Sequence, residues 1–440
     1  MNAAARARLA AAATAVLDEN QRGAWTCPSA TLYPHQWLWD SCFIAIGLAR
    51  VDPQRAAGEL RALVRGQWSN GMIPHMVFAD GRIDFGSRHI WQSHTYPAAP
   101  RDVATSCITQ PPLVSIAVLH VAGFLAADER RTFLTEMYPV LVSYHRWMYR
   151  ERDPEGSGLV TLIHPWECGL DTTPTWMRTL ARWRGPLWLR IALRLRLARF
   201  VRFLRRDTKY VPAAERSTDD DGLRMLALVS GARRARFDLH RLARRRSVLI
   251  QDVAFNSLLA VANRALTAIA SALDTTVDAD LGDRFPTTLA ALEGLWDDKT
   301  GRYGSRDVTT GKLITLPTVA TFLPLWAGVA PDRTIRLLSL LAGPSGFWPA
   351  FPVPSVPTDA RRFDAHRYWK GPTWVNTNWI VVQGLREAGA GDVADELRDR
   401  TLDMVHAAGM YEYFSPLTGD GIGASDFSWT AALALDLLDS

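Results

Sequence analysis

Apolar residues recur at three- and four-residue spacing along most of the chain, a period that marks helices rather than strands. It predicts helices at 36–50, 53–66, 112–127, 128–150, 221–245, 248–273, 278–295, 318–327, 331–341, 371–388, 390–408 and 425–438. An amphipathic helix opens the chain and runs to Asn20. Pro53 falls in the first turn of its helix, where the missing N–H is not needed. Almost no linker separates 112–127 from 128–150, the mark of an antiparallel hairpin. At other junctions long segments intervene; in 71–101, Phe78, Phe85, Trp91 and Tyr96 are interleaved with Gly, Pro, Asp and Ser, as in a functional loop. Strand-like pieces are few and short. Helical hairpins with long loops at alternate junctions predict an all-α protein whose inner and outer helices close into a ring, the long loops collecting at one end. An open solenoid is the competing topology, but no fixed-period repeat of the solenoid kind is present.

One segment breaks this rhythm. Between Trp176 and Arg206, arginines at 178, 182, 184, 190, 194, 196, 199, 202, 205 and 206 alternate with Leu, Trp, Ile and Phe. We read it as a helical insertion, at about 176–210, into a single domain spanning 1–440, its arginines kept in water; a lesser reading lays it on an anionic membrane or an acidic partner. A chain of 440 residues, 48% hydrophobic and 22% charged, can bury one large core. The net charge of +5 is modest and much of the excess sits in this segment, so charge does not argue for a nucleic-acid partner. The 17 tryptophans, many in loop-like motifs, suit a site for flat ligands such as sugars. Cys27, Cys42, Cys107 and Cys168 form no CxxC pair and have no His at metal-ligand spacing, which predicts reduced thiols, no metal and a cytoplasmic protein. The N-terminus lacks the apolar core of a signal peptide, and no uninterrupted apolar run reaches the roughly 18 residues that cross a bilayer. With no phosphate loop or nucleophile elbow either, no cofactor is expected. A homo-oligomer is left open.

The chemistry concentrates in His164-Pro165-Trp166-Glu167-Cys168-Gly169-Leu170-Asp171, too short and too bent for a helix or strand and well suited to the mouth of a pocket. Glu167 precedes Asp171 by four positions, which in an irregular loop does not bring the side chains together. A partner for Asp171 should therefore be distant, and Glu412 in Tyr411-Glu412-Tyr413-Phe414 is the candidate; Pro416, Gly419, Gly421 and Gly423 behind it can fold over a site. Asp40, beside Tyr33, Trp37 and Trp39, is a costly place for a carboxylate unless something donates to it. Sugar hydroxyls would do so, and so would the N–H groups of a first helical turn. Gln110, in Thr109-Gln110-Pro111-Pro112, either points its amide at the same site or serves helix entry.

Five motifs in this order, YPHQWLWDSCF, TQPP, HPWECGLD, RYWKGPTWVNTNW and EYFSPLTGDGIGASDFSWTAA, span residues 33 to 432 and resemble glycoside hydrolase family 63. The nearest likeness is to its bacterial glucosylglycerate and mannosylglycerate hydrolases, with trehalases and processing α-glucosidases further off. The resemblance implies an (α/α)6 barrel that hydrolyses α-glycosides with inversion. It makes Asp171 the general acid and Glu412 the general base, a pair that inversion sets about 6.5–9.5 Å apart. Desolvation near Trp166 would raise the pKa of Asp171 accordingly. Tyr33, Trp37, Trp39, Asp40, Gln110, Trp166, Gly169, Tyr368, Trp369 and Trp374 become the sugar-binding set, and Arg216 the holder of a glycerate carboxylate. Two departures bear on the substrate: Gly222 stands where the glucosylglycerate hydrolases would have a tyrosine, and Phe85 replaces another. Arg205, Arg206 and Lys209 are candidate substitutes for the lost contacts. The expected substrate is glucosylglycerate, then mannosylglycerate; trehalose or another neutral α-glucoside is the alternative. A barrel that binds sugar without turnover is a further one, and the presence of both Asp171 and Glu412 speaks against it.

Overall fold

The computed structural model describes residues 1–79, 90–204 and 207–439. Twelve described helices alternate in role along the chain: α1 (Ala3–Glu19), α2 (Leu38–Leu48), α3 (Pro53–Val64), α4 (Val114–Ala122), α5 (Ala127–Arg152), α6 (Val253–Ala272), α7 (Arg284–Glu293), α8 (Pro324–Ala327), α9 (Pro331–Ala342), α10 (Val375–Glu387), α11 (Gly391–Ala408) and α12 (Ser428–Leu438). The even-numbered ones form an inner ring, in which α2 packs on α4, α4 on α6, α6 on α8, α8 on α10, α10 on α12, and α12 back on α2. The odd-numbered ones lie outside: α1 against α12, α3 against α2, α5 against α4 and α6, α7 against α6, α11 against α10 and α12, and α9 against the Val319–Phe322 turn that leads into α8. This is an (α/α)6 barrel.

Sequence dictates which ring each helix joins. Every residue of α2 and of α12 is buried, and a helix apolar all round has to be surrounded. In α3 only Ala56, Ala57, Glu59, Leu60 and Leu63 are buried, a single stripe at helical spacing. By length and composition α6 could cross a membrane, but it is the core helix of the barrel, enclosed by α4, α5, α7 and α8. The ring closes where α2 meets α12, and there a Cβ on Gly47 would lie 2.0 Å from the carbonyl oxygen of Ala432, so the two backbones touch.

Connections from α2, α4, α8 and α10 to the next outer helix are short turns, and 273–283, with the helical turn Ala279–Gly282, leads from α6 to α7; every connection from an outer to an inner helix is longer: 20–37, 65–113, 153–252, 294–323, 343–374 and 409–427. In an alternating ring these six segments all arrive at the end where the inner helices begin. Short strands tie them together, 36–37 pairing with 76–77 and 250–251 with 305–307, and a bridge joins Thr373 to Phe414; within single segments 413–414 pairs with 421–422 and Leu162 bridges to Ile250.

The expected helix at 176–206 is not continuous. It ends with Pro174–Arg182, breaks at Gly185 (φ +54) and Pro186, and resumes as Leu187–Arg194 and a 3₁₀ turn over Leu197–Leu204. The helix expected at 221–245 is likewise two, Asp219–Arg234 and Leu239–Arg244, divided where Arg236 and Phe237 take positive φ. Before α6, strand 250–251 replaces the first expected turn, and Asp252 caps the helix by accepting the N–H groups of Ala254 and Phe255.

Candidate active site

The loop carrying Asp171 is held by its other carboxylate. Arg152, the last residue of α5, donates Nη2–H to Glu167 Oε1 at 2.8 Å and Nη1–H to Oε2 at 3.3 Å, with both side chains buried. Glu167 also accepts the N–H of Ile163 at 2.7 Å and of Thr109 at 3.5 Å. It therefore joins the loop to the segment that presents Gln110, and it leaves Asp171 to other partners. Gly169, at φ +75, lets the loop lie on Trp39: a Cβ there would be 2.6 Å from the indole ring. Such close approach at positive φ needs glycine.

Four outer-to-inner segments then bring one polar network together. Glu412, buried just before strand 413–414, accepts Tyr33 Oη–H at 3.0 Å on Oε1 and the N–H of Ala424 at 3.2 Å on Oε2. Arg216 Nη1 lies 3.0 Å and 2.9 Å from the two oxygens of Glu412, and its Nη2 donates to the Tyr33 hydroxyl. The same guanidinium sits over the Tyr368 ring, 4.3 Å from its centre, and its Nε is 3.5 Å from Asp207. Tyr368 donates to Asp171 Oδ2 at 3.3 Å. Asp171 and Glu412 thus face one site with Tyr368 and Arg216 linking them.

The two carboxylates have opposite surroundings. Burial pushes Asp171 up to about 7, Glu412 adds to the rise, and the Tyr368 hydroxyl and Arg216 oppose it. Asp171 still keeps some accessible surface, as a group that must reach a leaving oxygen requires. Glu412 has a guanidinium in contact with both of its oxygens. Asp40 is the third acid: burial drives it well above the ordinary carboxylate range, with Glu412 and Asp171 adding to the effect.

Around this network, Tyr33, Trp37, Trp166 and Tyr368 are half-buried, and Trp39, Asp40, Gln110 and Trp369 lie deeper. The indole N–H of Trp37 has no acceptor among the described residues, which leaves a buried donor for a ligand oxygen. Gln110 accepts the Trp39 N–H at 3.3 Å on its side-chain oxygen. Trp166 packs on His164, with ring centres 4.4 Å apart. Trp374 has no accessible surface; Trp369 stacks on it at 3.8 Å and Tyr413 lies at 4.4 Å. Trp374 therefore backs Trp369, and its indole N–H, like that of Trp37, has no acceptor among the described residues. Tyr368 is held at φ +35, an unfavourable value for a residue with a side chain. Phe85, Arg205 and Arg206 lie outside the described residues. Lys209 is exposed on the short helix Asp207–Tyr210.

Several residues of the site gave no sequence signal. Glu215 accepts the Tyr413 hydroxyl at 2.9 Å on its carbonyl and the Gly423 N–H at 3.2 Å on its carboxylate, fastening the strand beside Glu412 to the segment of Arg216. Lys370 reaches Asp221 at 3.3 Å, next to Gly222. Among the described residues no three His, Cys, Asp or Glu side chains are grouped to hold a metal ion.

Comparison with known proteins agrees with this architecture. The family model for the mannosylglycerate hydrolase MGH1-like glycoside hydrolase domain matches residues 33–430. The chain is 38% identical over 426 residues to a mannosylglycerate hydrolase of Thermus thermophilus, covering 96% of this chain and 99% of that one. It is 33% identical over 451 residues to a glucosylglycerate hydrolase of Mycolicibacterium hassiacum, covering 98% of each. A crystal structure of a family 63 mannosylglycerate hydrolase from Thermus thermophilus, in complex with Tris and D-glycerate, matches with a TM-score of 0.87 and 38% identity over 97% of this chain and 99% of that one.

Proposed function

Because the chain belongs to the MGH1-like glycoside hydrolases of family 63, we propose that it cleaves the α-glycosidic bond of a sugar joined to glycerate, with inversion, Asp171 acting as general acid and Glu412 as general base. The observation that carries this reading is the contrast between the two carboxylates: one is raised to about 7 by burial, the other is held by a guanidinium, on segments that meet at one end of the barrel. In the proposed cycle the sugar lies between them. Asp171 protonates the oxygen leaving with the aglycone, and Glu412 takes a proton from the water attacking the opposite face of C1. Asp40, the Trp37 N–H and Gln110 hold sugar hydroxyls, and Trp39 and Trp166 bound the pocket.

Mannosylglycerate is placed ahead of glucosylglycerate, the reverse of the order expected from the motifs. The family model is named for the mannosyl enzymes, identity to such a relative is the higher of the two, and Gly222 departs from the glucosylglycerate pattern. A second reading, a neutral α-glucosidase, draws on Arg216. With Glu412, Tyr33 and Asp207 all around it, this guanidinium has less to offer an aglycone carboxylate. Anomer-resolved NMR with mannosylglycerate, glucosylglycerate and trehalose tests both readings. We expect the glycerate substrates to be cleaved and the β-anomer of the released sugar to appear first. An α-anomer as first product removes the inverting mechanism, and cleavage of trehalose alone removes the glycerate.

Arg216→Ala gives a two-part result on this reading. Glu412 loses its ion pair whatever the substrate, so kcat falls for glycerate-bearing and neutral α-glycosides alike. Only the former also lose a charge-assisted bond, worth about 10- to 100-fold in KM. Equal KM changes for the two classes would show that Arg216 serves Glu412 and not the aglycone.

A further inference from the structure

The proposed chemistry makes no use of the arginine-rich insertion. From Thr172 to Arg206 the sequence has ten arginines and no Asp or Glu. Arg182, Arg184, Arg190, Arg194, Arg196 and Arg199 are exposed, and none of them forms an ion pair with a described residue.

Helix Leu187–Arg194 is built with two apolar faces, and only one has a partner. Leu189 turns inward and joins Ala198, Leu223 and Ala227 in a small core separate from that of the barrel. On the outer side Leu187, Ile191 and Leu195, each four residues from the last, are 65%, 48% and 61% exposed, and Trp188 and Phe200 are exposed as well. Single exposed apolar residues are ordinary on a protein surface, but a contiguous ridge of them is not. Exposed Leu, Ile and Trp flanked by arginines that form no ion pair with a described residue match an anionic lipid surface in both respects: the apolar side chains enter the boundary of the acyl chains, and the guanidiniums meet headgroup phosphates. A second copy of the chain fits less well, since it would bring the same cations to the contact.

We propose that the ridge Leu187, Trp188, Ile191 and Leu195, with its flanking arginines, docks the protein reversibly on an anionic bilayer. The test is flotation of the full-length protein with vesicles of phosphatidylcholine alone and of phosphatidylcholine mixed with phosphatidylglycerol. The protein should float with the mixed vesicles only, and less at high salt. In Arg190→Gln/Arg194→Gln each lost cation should weaken binding about fivefold. Leu187→Ser/Trp188→Ser/Ile191→Ser keeps every charge and should abolish flotation at moderate salt. Glycosidase activity and the circular dichroism spectrum should be unchanged in both variants. The proposal fails if the parent protein does not float with anionic vesicles, or if the triple serine variant floats as well as the parent, which would mean charge attraction alone. Retention on a soluble polyanion without flotation would assign the ridge to an acidic macromolecule and overturn docking on lipid.

Discussion

Asp171→Asn should lower kcat on a glycerate glycoside by roughly 100- to 10,000-fold while leaving hydrolysis of an α-glycosyl fluoride far less impaired. A sugar-bound glycerate oxygen leaves poorly unless it is protonated, whereas fluoride needs little help. Glu412→Gln disables water activation and should depress both substrates. Rescue of Glu412→Gln by the fluoride would exchange the two roles. The pH profile adds a check. Asp171 must be protonated to act and is poised at about 7, so kcat/KM should fall as pH rises beyond that value, and Asp171→Asn should lack that limb. The same shift affects stability. The folded state binds the Asp171 proton more tightly than the unfolded chain, so its stabilising contribution is full below about 4 and is lost as pH rises toward about 7. Asp171→Asn should therefore unfold later than the parent above neutral pH, by roughly 1–3 kcal/mol, in urea titrations at matched slopes. An unchanged midpoint would mean that the carboxylate is not desolvated.

Arg152→Met should be the most destabilising single change away from the chemistry. It leaves the Glu167 carboxylate buried and without its cation, and breaking a buried pair on one side costs about 3–5 kcal/mol. Urea unfolding measures the loss directly, and kcat should drop as well, because Glu167 holds both the loop of Asp171 and the N–H of Thr109. Removing both charges in Arg152→Met/Glu167→Leu should recover much of the stability, since no orphan charge remains. If Arg152→Met unfolds at the parent's midpoint, the pair does not hold the loop.

The helical period revealed the barrel because inner helices such as α2 and α12 are mostly apolar and buried on every side while outer ones such as α3 are striped, a difference written in the order of residues. Alternate long junctions showed where the site would gather. Asp171 is legible through its Pro- and Gly-bent surroundings, and Glu167, four residues earlier, is bound to Arg152, Ile163 and Thr109. What Glu167 does could not be read, because Arg152 belongs to an ordinary helical pattern and nothing local marks it as the other half of a buried pair. Arg216 is similar. The family resemblance assigned it to a ligand carboxylate, whereas its contacts with Glu412 and Tyr33 depend on segments far along the chain. The breaks at Gly185 and near Arg236 escaped the pattern because hydrophobic periodicity averages over single residues, while a turn depends on the φ of one or two.

Closure of the inner ring also sets an order of events in folding. Tyr33 bonds to Glu412 across 379 residues, and Asn20 meets Ser428 across 408. No subset of helices that emerges early in synthesis contains both walls of the site, and until α12 is in place the largely apolar flank of α2 lacks its partner. Contacts of such sequence separation are formed late and slowly. Nascent chains are therefore most prone to associate wrongly before α12 is available, when a neighbour's α12 can fill the gap meant for their own.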